Sequence, residues 1–235
     1  MSFRIHDTIW TLFPGMRLVV AATTGIDNRA ANPGLERLLA ETQERIRAGW
    51  AYPNAQSHPS IDAWRRAFQR LGVSGKKFPS SVEALCRRTL AGNRMAPINP
   101  LVDYYNSISL AYLVPAGGWD IDALAGGDLW LRPTAVGERF TALGELEPDC
   151  TYAGEVAYAD ATELITRHFV WRQSERAKIS PVTSRVFLVA EVLADLPAGT
   201  AEAVREGLVT GLRDHFEVDA KSAVLEAGIS CWRWE

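Results

Sequence analysis

Hydrophobic positions follow two different periods along this chain. Between residues 29 and 94 apolar residues recur every three or four positions, as on amphipathic helices. After about residue 113 they tend to alternate with polar residues, as in half-buried strands. Helices followed by strands favour an α+β fold over alternating α/β units. We therefore predict one domain spanning residues 1–235, with a helix-rich part at 29–94 and a sheet-rich part at 95–235.

Three helices are predicted in the first of these parts. Residues 33–49 carry one apolar stripe, and Ser60 is predicted to be the N-cap of a second helix. Ser80 with Glu83 three positions later is a capping-box pattern that starts a third helix. Further along, residues 201–216 form an amphipathic pattern with the same period.

Strands are predicted on either side of these helices. Residues 3–24 read as one or two strands that include the apolar run 9–13, with a Pro-Gly turn after it. Residues 128–133 and 154–160 alternate between apolar and polar side chains. Residues 169–171 are predicted to form a short strand that leads into a polar cluster.

The centre of the chain combines amides, an acid and prolines. From Leu101 onward apolar residues recur at helical spacing, which predicts a helix of about three turns with Asn99 at or just before its start. Asp103 and Asn106 share one face of this helix. An Asn side chain can hold an amino group or a carbonyl, but at a helix start it can also satisfy backbone groups. We favour a structural role for Asp103 and Asn106 and leave Asn99 open.

Charge is distributed unevenly along the chain, although the net charge is only −3. Residues 29–94 hold 12 Lys and Arg against 5 Asp and Glu, whereas residues 95–235 hold 11 against 21. A basic region of this kind can bind the phosphates of a nucleic acid, or it can be a set of solvated helix faces. The residues that we predict to bind RNA are Lys76, Lys77, Arg87, Arg88 and Arg94.

Several classes of protein are disfavoured by the sequence. It has no apolar run of about 18 residues and no signal-peptide pattern, so we expect no membrane association. The three scattered cysteines favour free thiols in the cytoplasm over disulfides or a zinc site, and the four histidines lack metal-ligand spacing. No phosphate-binding loop or dinucleotide fingerprint is present, and Ser174 lacks a serine-hydrolase context. We predict neither a metal nor a cofactor.

The central segment resembles a known module. The stretch PINPLVDYYNSISLAYLVPAGGWDIDAL is similar to the B3/B4 module of the phenylalanyl-tRNA synthetase β subunit, and a second similar stretch covers residues 154–160 and 171–178. The chain looks like the free-standing members of that family, most clearly between residues 76 and 191. The positions that match are Ile98, Asn99, Val102, Asp103, Asn106, Pro115, Trp119 and Asp120.

This resemblance implies a three-layer β/β/α arrangement and a function in editing. In the synthetase the module hydrolyses wrongly made tyrosyl-tRNA, so the implied partner is tRNA, with an aminoacyl ester or amino acid in a pocket. The implied activity is that of a trans-acting aminoacyl-tRNA deacylase. The alternatives are a non-catalytic RNA- or amino-acid-binding module and a scaffold whose acidic part meets a protein. The family His aligns with Gly117, and the family Glu that senses the tyrosine hydroxyl aligns with either Glu175 or Lys178.

The candidate site combines the polar cluster 172–178 with the central segment. A cation beside a carboxylate can bind a phosphate, a carboxylate or a developing oxyanion, although the same cluster could be a loop held by salt bridges. We expect Asn99 and this cluster to face one cleft, with Gly117 and Gly118 in a bend that presents backbone amides. The predicted catalytic residues are Arg172, Glu175 and Lys178. The predicted substrate-binding residues are Asn99, Gly117, Gly118, Trp171, Gln173 and Ser174.

Overall fold

A computed structural model describes residues 1–93 and 95–234, and it confirms the α+β fold. Arg94, one of the predicted RNA-binding residues, lies outside the described residues. The helices are α1 (Thr8–Leu12), α2 (Pro33–Gly49), α3 (Pro59–Arg70), α4 (Ser81–Leu90), α5 (Pro100–Tyr112) and α6 (Thr200–Phe216). The strands are β1 (Ser2–Ile5), β2 (Arg17–Thr24), β3 (Ala116–Asp120), β4 (Asp128–Pro133), β5 (Arg139–Phe140), β6 (Asp149–Cys150), β7 (Val156–Ala159), β8 (Thr166–Arg167), β9 (Arg172–Gln173), β10 (Arg185–Val192), β11 (Lys221–Leu225) and β12 (Cys231–Arg233).

Two four-stranded sheets organise the molecule. The central sheet has the order β11-β2-β10-β3 and is antiparallel throughout. The second sheet has the order β12-β1-β4-β7, in which β1 and β4 run parallel. The first and last strands of the chain are neighbours in this sheet, with Phe3 opposite Trp232. Two further short pairs, β5–β6 and β8–β9, flank the second sheet.

Strand β10 shows how the layers stack. Its side chains alternate between the two faces of the central sheet. Phe187 points to the second sheet, where its ring lies 5.2 Å from that of Phe3. Leu188 points to the opposite face, against which α5 and α6 pack. The core therefore fills two interfaces, sheet on sheet and sheet on helix, which is the three-layer β/β/α arrangement.

Helices α5 and α6 approach each other closely beneath the central sheet. The Tyr104 hydroxyl of α5 donates to the carbonyl oxygens of Gly207 and Leu208 in α6, at 2.7 and 2.8 Å. A Cβ on Gly211 would lie 2.4 Å from the Tyr104 ring, so this position requires glycine. The close contact fixes α5, whose N-terminus carries Asn99.

Three local predictions are wrong. The run 9–13 forms helix α1 rather than a strand, with Ile9 and Trp10 buried. Helix α3 is capped by His58, whose side chain accepts from the Ser60 amide, so the helix begins before Ser60. Residues 169–171 are not a strand, because Phe169 has a φ of 59°, in the left-handed region.

Candidate ligand-binding cleft

A cleft of about 530 Å³ opens between α4, the start of α5, β3 and residues 171–181. This volume lies within the range of small-ligand sites, roughly 300–1,000 Å³. Its lining residues are Ser81, Ala84, Leu85, Arg88, Ile98, Asn99, Val102, Tyr105, Asn106, Ala116, Gly117, Leu143, Trp171, Gln173, Lys178, Ile179, Ser180 and Pro181. Asn99, Gly117, Trp171, Gln173 and Lys178 of the predicted site thus line one common cavity.

A smaller inner cavity of about 80 Å³ adjoins the cleft. The two share Ser81, Ala116, Gly117, Trp171 and Gln173, so these residues lie at the boundary between them. The inner walls are formed mainly by Pro115, Trp119, Tyr158, Thr166, Phe169, Val170, Val189 and Glu191, with Arg172 at the margin. The cleft therefore continues inward between the central sheet and the second sheet.

The two polar side-chain atoms of Asn99 differ, because Oδ1 is hydrogen-bonded within the described residues and Nδ2 is not. It is the N-cap of α5, and its Oδ1 accepts from the Val102 amide and from Asn28 Nδ2, both at 3.0 Å. Asn28 is buried, and it also bonds the Ser180 carbonyl and the Leu101 amide. Asn99 Nδ2 makes no hydrogen bond with the described residues. The Asn28–Asn99 pair therefore holds an N–H donor group at the cleft wall.

The other two polar residues of α5 differ from one another. Asp103 Oδ1 accepts from the Ile98 amide at 3.1 Å, and the carboxyl is buried outside the cleft. Burial raises the pKa of Asp103 above its ordinary range. Asn106 is half-buried and lines the cleft. The structural role favoured for both residues fits Asp103, whereas Asn106 faces the candidate site.

The polar cluster 172–178 is held by ion pairs, and only part of it reaches the cleft. Arg172 Nη2 lies 2.8 Å from Glu145 Oε1, and its guanidinium lies 5.9 Å from the centre of the Trp171 ring. Glu175 accepts from Lys178 and from the Gly144 amide, and the hydrogen bond from Lys178 lowers its pKa. Glu175 does not line the cleft, which removes it as a candidate base.

Ser174 also lies away from the cleft. It is fully buried, and its hydroxyl donates to the Arg176 carbonyl at 3.1 Å and accepts from the Arg176 amide at 2.9 Å. These bonds close a tight turn, so the predicted substrate contact of Ser174 is replaced by a structural one. Gln173, the preceding residue, points the other way and donates to the Gly118 carbonyl at 3.4 Å.

Gly117 and Gly118 belong to strand β3 and not to a bend. A Cβ on Gly118 would lie 2.4 Å from Leu188 Cδ2 and 2.9 Å from the Phe187 carbonyl oxygen, so the strands need glycine there. Gly117 has no atom within 4 Å of its Cβ position and faces both cavities. Gly117 therefore leaves open space beside both cavities.

Basic residues lie on α4 and in the loop before it. Lys76 and Lys77 are exposed in the loop before α4. Arg88 is exposed on α4, lines the cleft and forms no ion pair with any described residue. Arg87 is different, because its Nη2 lies 2.6 Å from Oε1 of the buried Glu83 and its charge is therefore compensated. We call Lys76, Lys77 and Arg88 the basic surface.

A buried carboxyl group was missed by sequence reasoning. Glu191 is 3% exposed, and its Oε1 accepts from the Tyr158 hydroxyl at 2.7 Å. Burial raises the pKa of Glu191 to about 7. Trp119 packs on Tyr158, and its indole Nε1 is buried without an acceptor among the described residues. The available signal was a carboxylate inside the apolar run of β10, where a charge is costly unless it has a function.

The described residues contain neither a cluster of metal ligands nor a helix that could span a membrane. No group of three or more His, Cys, Asp or Glu within residues 1–93 and 95–234 could hold a metal ion. His168 lies outside the cleft, stacked on Phe78 at 4.0 Å, and burial lowers its pKa. None of the described helices is long and apolar enough to cross a membrane.

Comparisons with known proteins bear on this site. The family model described as B3/4 domain matches residues 63–228, which confirms the resemblance seen in the sequence. An N-terminal fragment of the phenylalanyl-tRNA synthetase β subunit from Pyrococcus horikoshii aligns with 11% identity and a TM-score of 0.49. The alignment covers 94% of this chain and 53% of that fragment, so the chain spans about half its length. No curated protein matches the chain.

Proposed function

Because this chain belongs to the B3/4 domain family, we propose that it binds the aminoacylated 3′ end of a tRNA and hydrolyses the ester of a mischarged one. The observation that carries the proposal is the common cleft. It gathers Asn99, Gln173 and Lys178 beside Arg88, which forms no ion pair with a described residue, and it continues into an inner cavity. A polar entrance suits the charged 3′ end of an RNA strand, and the inner cavity suits the side chain of the attached amino acid.

The basic surface supplies the proposed contacts to the RNA backbone. Phosphate binding releases counterions, so affinity should fall with salt at a log–log slope of roughly −0.7 per contact for a single strand. Arg88 lines the cleft, and Lys76 and Lys77 lie before the same helix. The 3′ end would therefore pass along α4 into the cleft.

A charge-reversal experiment tests RNA binding. The triple variant Lys76→Glu, Lys77→Glu, Arg88→Glu should lose tRNA retention in a filter assay. Arg87 is left unchanged, because reversing it would place a second carboxylate beside the buried Glu83.

The matched control reverses three cations that do not line the cleft, namely Arg205 and Arg213 on α6 and Lys221 on β11, the edge strand opposite β3 in the central sheet. Both triple variants change the net charge by the same amount, so the control should retain tRNA. Equal retention by both variants would exclude the basic surface as the RNA site.

The proposed chemistry is attack of water on the ester. The described residues that line the cleft include no His and no Cys, so Ser81 and Ser180 have no histidine partner there. The proposal therefore uses neither a histidine base nor a covalent nucleophile. Lys178 would stabilise the oxyanion, with Arg172 as a second cation near the inner cavity. Asn99 Nδ2 and Gln173 would orient the aminoacyl group. The ribose hydroxyl beside the ester would assist the water.

The direct test is release of amino acid from a panel of mischarged tRNAs at saturating protein. Removing one oxyanion donor typically costs about 10²–10³ in rate, so Lys178→Ala or Arg172→Ala should slow release by that factor. Ser174→Ala and His168→Ala are the controls, expected within a few-fold of the parent because neither side chain reaches the cleft. An inactive Ser174→Ala that still folds would contradict the water mechanism.

A second candidate function is a binding module that cleaves nothing. It is favoured by the lining of the outer cleft, which contains no carboxylate in the described part of the chain. Such a module should bind aminoacylated tRNA more tightly than uncharged tRNA while the ester stays intact. Release of amino acid above the spontaneous rate would exclude it.

We place this activity in the cytoplasm. The three cysteines are free thiols, with Cys86 buried and Cys150 and Cys231 exposed. Free exposed thiols persist in a reducing compartment. Fractionation of cells that produce the protein would test this placement.

A further inference from the structure

The inner cavity holds a polar group of three side chains inside walls that are otherwise largely apolar. The rings of Trp119 and Tyr158 pack at a tilt with their centroids 4.7 Å apart, and the Tyr158 hydroxyl donates to Glu191. These residues come from β3, β7 and β10, so both sheets fix their positions. They are far more buried than the polar residues of the outer cleft, and the proposed hydrolysis does not use them.

The size of the inner cavity limits its occupant. Its volume is about 80 Å³. A cavity that binds benzene measures about 150 Å³, so the inner cavity alone does not enclose an aromatic ring. By itself the cavity suits a side chain of only a few heavy atoms.

The hydrogen-bonding groups limit its chemistry. Trp119 Nε1–H is a donor only, and it has no acceptor within the described residues. Glu191 can accept a further hydrogen bond, or donate one when it is protonated. A hydroxyl group offers one donor and two acceptor sites, so it can pair with an N–H donor or with a carboxyl group. A methyl group satisfies neither, and an ammonium group offers nothing to Trp119.

We infer that this cavity is the side-chain subsite of the cleft and that it selects a small hydroxyl-bearing aminoacyl group of the serine or threonine class. The inference rests on the proposed function, because the cleft must hold the rest of the aminoacyl group. Trp119 and Glu191 are the specificity-determining residues, and Tyr158 positions Glu191. Ser81, Trp171 and Gln173 stand where the side chain would pass from the cleft into the cavity.

The experiment uses stable amide analogues in which L-threonine, L-valine or L-tyrosine is joined to 3′-amino-3′-deoxyadenosine. Threonine and valine have nearly the same shape, so their comparison isolates the hydroxyl group. A site built to hydrogen-bond a hydroxyl rejects the analogue without it strongly, and we expect the threonyl analogue to bind about 10²-fold more tightly in calorimetry. The tyrosyl analogue should bind at least as weakly as the valyl one.

Two variants test whether Trp119 recognises the hydroxyl group. Trp119→Phe keeps a six-membered aromatic ring but loses the five-membered ring that carries the N–H, so it should weaken threonyl binding about 10-fold or more and lower the threonyl-to-valyl affinity ratio. Trp171→Phe at the boundary is the control, because it should change the affinities of both analogues by the same factor. A threonyl-to-valyl ratio that Trp119→Phe leaves intact would overturn the assignment.

The outcomes separate this inference from the proposed function. If the threonyl analogue is preferred but no ester is hydrolysed, the deacylase proposal fails and the subsite stands. If esters are hydrolysed without regard to the hydroxyl, or if tyrosyl binds as well as threonyl, the subsite assignment is wrong and the deacylase stands. Failure of every analogue to bind at millimolar concentration would also overturn the assignment.

Discussion

Replacing Glu191 by Gln should change how the stability of this protein depends on pH. The carboxyl is buried and its pKa is raised from 4.5 to about 7. Between these two values the folded protein keeps a proton that the unfolded chain has released. The wild-type protein therefore loses stability as the pH rises through this window. Gln has the same shape, accepts the same hydrogen bond from Tyr158 and does not titrate.

The size of the effect follows from the shift. Each pKa unit corresponds to about 1.4 kcal/mol, so the full window is worth about 3 kcal/mol of unfolding free energy. The two proteins should be nearly equal in stability at pH 4.5, and Glu191→Gln should be more stable by up to about 3 kcal/mol at pH 8. The low pKa values of His58 and His168 act in the opposite direction, but both proteins contain these groups and the difference cancels them.

Urea unfolding at pH 5, 6, 7 and 8 measures this difference, with the slope of the denaturant dependence checked for two-state behaviour. The expected signature is a gap between the two proteins that grows with pH and levels off above pH 7. A gap that is the same at every pH would refute the reasoning, because a mere packing change from Glu to Gln does not titrate. Tyr158→Phe is the companion variant, since it removes the bonded hydroxyl but keeps the carboxyl.

Two further predictions concern packing and capping. Gly211→Ala should destabilise the protein by about 1–3 kcal/mol, because the added Cβ would meet the Tyr104 ring and this outweighs the better helix propensity of Ala. The control is Gly49→Ala, which should be neutral or stabilising because no atom lies within 4 Å of its Cβ position. Equal effects of the two substitutions in thermal unfolding would contradict the close contact. Asn28→Ala should cost about 2–3 kcal/mol because it removes three buried hydrogen bonds, whereas Asn54→Ala at an exposed cap should cost at most about 1 kcal/mol. A small loss for Asn28→Ala in urea unfolding would show that the capping pair is dispensable.

Elements with local signals were predictable from the sequence. Helix α2 was predicted with its observed bounds, because its apolar stripe and its Pro at the first position are both local. Asn99 was correctly placed at the start of α5 for the same reason. The run 9–13 was predicted wrongly, since a short run of four apolar residues and one threonine fits a strand or a buried helix equally well, and tertiary packing decides between them.

The candidate site could be predicted only in part. The family resemblance brought Asn99 and residues 171–178 together, and those stretches do meet in one cleft. The inner cavity was missed because β3, β7 and β10 become neighbours only through sheet pairing and stacking, which no local pattern encodes. The sequence also does not reveal that Ser174 points into a turn and not into the cleft. That direction depends on the bridge between Ala142 and Ser174, which are far apart in the sequence.

The pairing of β1 with β12 has a consequence for the order in which the chain acquires its structure. During synthesis, residues Ser2–Ile5 leave the ribosome long before Cys231–Arg233 exist, so one edge of β1 stays unpaired until the last strand arrives. The aromatic ring of Phe3, which packs between the two sheets, also stays uncovered until then. Contacts over so large a sequence separation form slowly, and an exposed apolar strand edge invites association with other chains. Nascent chains of this protein should therefore depend on chaperones more than chains whose contacts are mainly local, such as those within helices.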